Sequence, residues 1–314
     1  MASAAGSGSL SGAGTGSSLG AAGGGSGLAG GGTSGTDASS GTSGNSGGGT
    51  AAGSGSVAMG SGKCCDGGDC LCHGEPMTAL SAKMGPYRTA NKIGRTGTIV
   101  YPMDAEPPLA GIAICPGFLN VGPEMMGWGT FYASWGIVTV VTSTGAADIP
   151  DIRAGLLLGA VEEMKKENMT SGSPLSGKMS GRYGTSGYSM GGGGTTIAAS
   201  QTPSLKTSIG LAPWGGRGNG TKVPTLLLCG DIDAVAPCNM ADSVYTGIPM
   251  GTPKMQIHFP TAEHLASWFG PNDLGGSSGG YALAFQKVYL EGDTRWKQLL
   301  MTKSAGQSRS ADIK

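Results

Sequence analysis

The chain has 314 residues, 62 of them glycine, and its 20 basic side chains balance 20 acidic ones to a formal net charge of zero. That balance excludes the basic face nucleic acid requires and the polybasic segment that anionic membranes attract. No apolar run approaches the roughly 18 residues a bilayer crossing needs, and no charged-then-apolar leader stands at Met1, so any export leader is expected to lie outside this chain.

Residues 1–62 carry one charged side chain, Asp37, and no aromatic one. Such a segment cannot bury enough apolar surface to offset its ordering entropy. It reads as a disordered Gly/Ser linker whose root-mean-square span is on the order of 40–50 Å. A Cys-rich segment follows at 63–76, where "CCDGGDCLCHG" places Cys64, Cys65, Cys70 and Cys72 beside His73. Cys and His are good zinc ligands, but this spacing matches no paired CxxC arrangement. A small disulfide knot at the end of an exported tether is the expectation, with no metal. Of the remaining cysteines, Cys115 and Cys229 end apolar runs and read as buried small hydrophobes; Cys238 is unassigned, and the odd total leaves at least one thiol outside the cluster.

Residues 77–314 have the size and mixed composition of one large α/β domain. "GTIVYP" (97–102), "GIAICPG" (111–117) and "GIVTVVTS" (136–143) are short, β-branched apolar runs bounded by Gly or Pro and predict buried strands. "IPDIRAGLLLGAVEEMKKEN" predicts a helix, with Pro150 at its start and Lys165 and Lys166 near its end. "TSIGLAPW", "VPTLLLCG" and "KMQIHFP" supply further strands; "GGYALAFQKVYLEG" and "TRWKQLLM" close the chain as helices. Strands alternating with helices imply a mostly parallel sheet covered on both faces.

Within that pattern, "RYGTSGYSMGGGGTTIAAS" (182–200) stands out. Gly187-Tyr188-Ser189-Met190-Gly191 fits G-x-S-x-G between a strand and a helix, a nucleophile elbow whose turn is too sharp for flanking β-carbons. Alone this is weak in a Gly/Ser-rich chain. Downstream partners strengthen it: Asp233 follows the run "TLLLC" and His264 follows the alternating strand ending in Phe259, the acid-then-histidine order such a fold uses. Asp231 is the competing acid. His73 sits in the cysteine cluster and His258 inside a strand, which leaves His264 as the loop histidine.

Together "AICPGF", "GYSMGGGG", "LAPW", "GDIDAVAP", "AEHLA" and "DTRWKQLL" resemble the bacterial cutinases and polyester hydrolases, including enzymes that cleave poly(ethylene terephthalate). The resemblance runs from about Met77 to Met301. It implies an α/β-hydrolase fold with an eight- or nine-stranded sheet, an open cleft without a lid domain, and no cofactor. It makes Ser189 the nucleophile, His264 the base and Asp233 the acid, with the backbone N–H groups of Phe118 and Met190 as the oxyanion hole. The ring of Phe118 would line one wall of the cleft and Trp214 the other, with Tyr188 and Met190 also on the substrate. The chain departs from the family in three places. Tyr188 stands where most relatives have His or Trp; the C-terminal cysteine pair is missing; and Ala266 occupies a position where some relatives have a bridging cysteine, so stability is expected from elsewhere. The Gly-rich segment "WFGPNDLGGSSGG" is expected to be a mobile border of the cleft. The expected protein is a monomeric serine esterase, secreted or tethered at the cell surface. A small-ester or lipid esterase and a non-catalytic surface-binding module are the competing readings.

Overall fold

The computed structural model describes residues 69–304 and 306–313. The proposed linker, together with Cys64 and Cys65, lies outside them. Nine strands among the described residues form one sheet: β1 Thr89–Ile93, β2 Gly97–Pro102, β3 Leu109–Cys115, β4 Val138–Thr142, β5 Met179–Tyr188, β6 Thr207–Leu211, β7 Thr225–Gly230, β8 Lys254–Phe259 and β9 Ser308–Asp312. Their order is β1-β2-β4-β3-β5-β6-β7-β8-β9. Strands β3 to β8 are mutually parallel, while β1, β2 and β9 run antiparallel to their neighbours at the two edges. This is the α/β-hydrolase arrangement that the motifs predict.

The central strands are buried on both faces, which is why they read as continuous apolar runs and not as alternating ones. Alternate residues still separate by face. Ile112, Ile114, Leu226 and Leu228 join one core with Trp128 and Phe131 of helix α1 (Met126–Ser134) and Tyr281 and Phe285 of α5 (Ser277–Phe285). Ala113 and Cys115 face the other way, onto Leu157 and Ala160 of α2 (Pro150–Met169) and Ile197 of α3 (Met190–Gln201). Leu227 shares that second face and packs with Ala241 and Val244 of α4 (Cys238–Gly247). Strand order reverses at β3, which has β4 on one side and β5 on the other, and ligands of open α/β sheets bind outside the carboxyl ends of strands near such a reversal.

Two short edge strands escape the sequence patterns. Strand β1 is "TANKI" and β9 is "SRSAD", both mostly polar and neither with a buried residue, so neither shows the apolar run that marks the inner strands. The predicted helix over 279–292 is also more complex: α5 passes into a π-helical turn at Gln286–Glu291. That turn buries Lys287 and Glu291 completely. Lys287 Nζ donates to Glu291 (2.8 Å) and to the carbonyls of His73 (2.7 Å) and Trp135 (2.6 Å). His73 engages Glu291 through Nδ1 at 3.1 Å and donates from Nε2 to the Glu106 carbonyl at 2.8 Å. The buried ammonium is driven below its usual range by burial, against the opposing pull of Glu291. Removing one member would strand a buried charge, a loss of about 3–5 kcal/mol. His73 therefore pins the start of the described chain to the domain, and Leu71 beside it is buried as well.

The cysteines correct one expectation. Cys115 is buried and free, as its position predicts, but Cys229 is not a plain hydrophobe: it is disulfide-bonded to Cys238. The bridge joins the end of β7 to the first residue of α4 and encloses the stretch that holds Asp233. Cys70 and Cys72 are each disulfide-bonded, and with their sulfurs 3.6 Å apart they are not bonded to each other.

Candidate active site

Ser189 stands between β5 and α3, capping the helix with φ +53°, a positive value that a non-glycine residue adopts only when its surroundings force it. The flanking glycines show what forces it. A β-carbon at Gly187 would lie 2.3 Å from the Gly191 carbonyl oxygen, and one at Gly191 would lie 2.2 Å from that of Cys115. The Ser189 carbonyl accepts from Gly193 and Trp214, both at 2.9 Å, so the elbow is held from two sides.

The side chain of Ser189 points at a histidine brought from 75 residues away: Ser189 Oγ lies 2.9 Å from His264 Nε2. On the other side of that ring, Nδ1 lies 2.7 Å from Asp233 Oδ2. An ionised carboxylate only accepts, so Nδ1 carries the proton and Nε2 is left to accept from the serine. All three residues are buried. Asp233 Oδ1 also accepts from the backbone N–H groups of Val235 (2.9 Å) and Ala236 (2.7 Å). Burial works against the ionised form of Asp233, but the hydrogen bond from His264 and those from the loop outweigh it and hold the carboxyl below the ordinary carboxylate range. The competing Asp231 is engaged elsewhere, with His258 Nδ1 at 3.0 Å.

Serine and histidine open into a cavity of about 370 Å³ that Asp233 does not line. Phe118, Tyr188, Met190 and Trp214 line it, together with Leu119, Val235 and Leu265. Phe118, Leu119, Val235 and Leu265 are exposed apolar side chains, so the mouth is a hydrophobic rim with no charged group among its lining residues. A larger hollow of about 780 Å³ near Met77, Met84 and Trp135 contains none of the Ser-His-Asp residues.

The Phe118 loop is fixed from beneath by a residue the sequence patterns do not single out. Arg153 of α2 is wholly buried, donating to the carbonyls of Pro116 (2.9 Å) and Asp148 (2.7 Å). Its only sequence sign is a charge at an otherwise inward helical position. Tyr188 lines the cavity from a buried position, and its hydroxyl donates to the His264 carbonyl at 2.8 Å. The segment after His264 is better anchored than its glycines imply. Trp268 is buried, its carbonyl accepts from Trp128 Nε1 at 3.0 Å, and Phe269 packs edge-on against Tyr188.

A hydroxyl, an imidazole and a carboxylate so arranged can deprotonate the serine as it attacks a carbonyl and can return the proton to a leaving group. A profile of the family described as PET hydrolase-like matches residues 74–313. Cutinase est1 of Thermobifida alba is 34% identical over 233 residues, covering 70% of this chain and 76% of that protein. A bis(hydroxyethyl) terephthalate hydrolase of Streptomyces coelicolor is 32% identical over 237 residues, 71% of this chain and 74% of its own. Cutinase 2 of Thermobifida cellulosilytica is 34% identical over 233 residues, 70% of this chain and 86% of its own.

Proposed function

Because the chain belongs to the PET hydrolase-like family, we propose that it is a serine ester hydrolase that cleaves polyesters through an acyl-enzyme. The observation that carries this reading is the hydrogen-bonded line from Ser189 through His264 to Asp233, opening on an uncharged, apolar-rimmed cleft. Ser189 Oγ attacks the ester carbonyl while His264 Nε2 takes its proton. Asp233 keeps Nδ1 protonated and stabilises the imidazolium that forms. The carbonyl oxygen, now negative, is received by the backbone N–H groups of Phe118 and Met190, the latter at the N-terminal end of α3 where the helix dipole favours an anion. Collapse releases the alcohol, protonated by His264. Water, deprotonated by the same imidazole, then frees the acid and restores Ser189. No cofactor enters these steps.

The substrate class follows from the rim. Phe118 and Trp214 offer rings to an extended acyl or aromatic unit, while Leu119, Val235 and Leu265 offer aliphatic surface to the chain on either side. Polymer chains and waxy polyesters share this need for an open apolar groove. Relatives named as cutinases and as a bis(hydroxyethyl) terephthalate hydrolase support it. Action outside the cytoplasm, as a secreted or surface-tethered monomer, is part of the proposal; the Cys229–Cys238 bridge and the bonded Cys70 and Cys72 support an oxidising compartment.

The test compares soluble product released from polyester film with turnover of p-nitrophenyl acetate by one preparation, beside its Ser189→Ala variant. Both activities should be present and both should fall by roughly a million-fold in the variant. Turnover of the short ester with untouched film would replace the polymer reading by a small-ester one. More than about a tenth of the activity surviving in Ser189→Ala would overturn the site itself.

A further inference from the structure

We infer that Tyr188, one of the residues lining the cavity, acts as a positioning residue for the base, its hydroxyl and ring together fixing the loop that carries His264. The inference rests on the serine-hydrolase reading above. No helix or strand lies between Phe259 and Asp273, so His264 is carried on irregular chain, yet it must hold its ring between two partners at 2.7 and 2.9 Å. Tyr188 supplies a constraint from the rigid side. It is the last residue of β5, fully buried, and its hydroxyl donates to the backbone carbonyl of His264 itself at 2.8 Å.

Its ring contacts the same loop twice. It lies 5.1 Å from the His264 ring, tilted 37°, and 5.3 Å from the Phe269 ring, edge-on. A third loop meets it as well: a β-carbon at Gly117, just before Phe118, would fall 2.9 Å from the Tyr188 ring. One side chain thus touches the base loop and the loop proposed to hold the oxyanion, and it is bonded to the nucleophile next door. Burial, then the neighbouring charges of Asp233 and Glu124, push the phenol well above its ordinary range, so the group stays a donor throughout working pH. A phenylalanine would preserve the ring contacts and leave the buried His264 carbonyl without this donor.

The experiment is Tyr188→Phe on the full-length chain, with p-nitrophenyl acetate kinetics expressed per competent site, counted by titrating Ser189 with a phosphonate. A misplacement of about 1 Å in a reacting group can lower rate about a hundred-fold. We expect kcat to fall about tenfold to a hundred-fold with KM within about twofold. The low-field proton resonance of His264 Nδ1–H should shift or broaden in the same variant. A KM that rises while kcat holds would make Tyr188 a substrate contact and overturn the inference; so would an unchanged kcat with an unchanged proton signal. If Ser189→Ala stays active, it is the hydrolase reading that fails, a result separable from either.

Discussion

Consider removal of the bridge across the acid loop by Cys229→Ala with Cys238→Ser, alanine being used where the side chain is buried and serine where it is half-exposed. The bridged residues are nine apart in sequence. Constraining a loop of that length in the unfolded chain is worth about 2.6 kcal/mol at 25 °C in the loop-closure account. About 240 ordered residues unfold with roughly 0.5 kcal/mol/K of entropy, so the melting temperature should fall about 5 °C. The enclosed stretch includes Asp233 and the two N–H groups that orient it, from Val235 and Ala236. Activity should therefore decline at temperatures well below the new melting point, kcat more than KM. Thermal unfolding followed by circular dichroism without reductant gives the first quantity, and short-ester kinetics give the second. A melting temperature within about a degree of the parent, with unchanged kcat, would refute the reasoning and leave the bridge without mechanical effect.

Three further outcomes follow from the same geometry. Asp233→Asn should lower kcat about ten-thousand-fold by presenting the wrong imidazole tautomer, whereas Asp231→Asn, whose partner is His258, should leave kcat within a few-fold; parallel kinetics distinguish them. Trp214→Ala should reduce film hydrolysis about threefold to tenfold more than acetate hydrolysis, the worth of a ring contact of about 0.5–1.5 kcal/mol; equal losses with a lower melting temperature would return Trp214 to packing. The folded-state carboxyl of Asp233 lies below its ordinary value of 3.8, so the folded chain binds fewer protons than the unfolded one between the two values. Its stabilising contribution is complete above that ordinary value and is lost as pH falls through the folded one. Urea midpoints of the parent and of Asp233→Asn should converge as pH drops below about 4.

Much of this is legible in the sequence because inner parallel strands and catalytic elbows leave dense local marks. The runs at 97–102, 223–230 and 254–260 correspond to β2, β7 and β8 within a residue or two. The order Ser189, Asp233, His264 assembles into one hydrogen-bonded line. What escaped depends on contacts distant in sequence. Strands β1 and β9 are polar edges whose strand state comes from a neighbour's backbone, not from their own side chains. Tyr188 carried no sign that its hydroxyl would meet a carbonyl 76 residues on. Cys229 reads as apolar because its run is apolar; the sign of the bridge is its spacing from Cys238, on the other side of the acid.

Strand β9 has a consequence for how the chain survives its own synthesis. It pairs with β8 from Lys254 opposite Asp312 to His258 opposite Ser308. Until it docks, β8 presents an unpaired backbone edge with Met255, Ile257 and Phe259 alongside, a template onto which a second unfinished chain can add. Because β9 follows every other strand among the described residues in sequence, that edge stays open until β9 itself has been made. The finished molecule instead presents "SRSAD", a short strand of four polar residues and one alanine with one charge of each sign, which is poor material for intermolecular pairing. Chains shortened to residue 305 should consequently precipitate on expression even though every proposed catalytic group is present, and light scattering at modest concentration would register it.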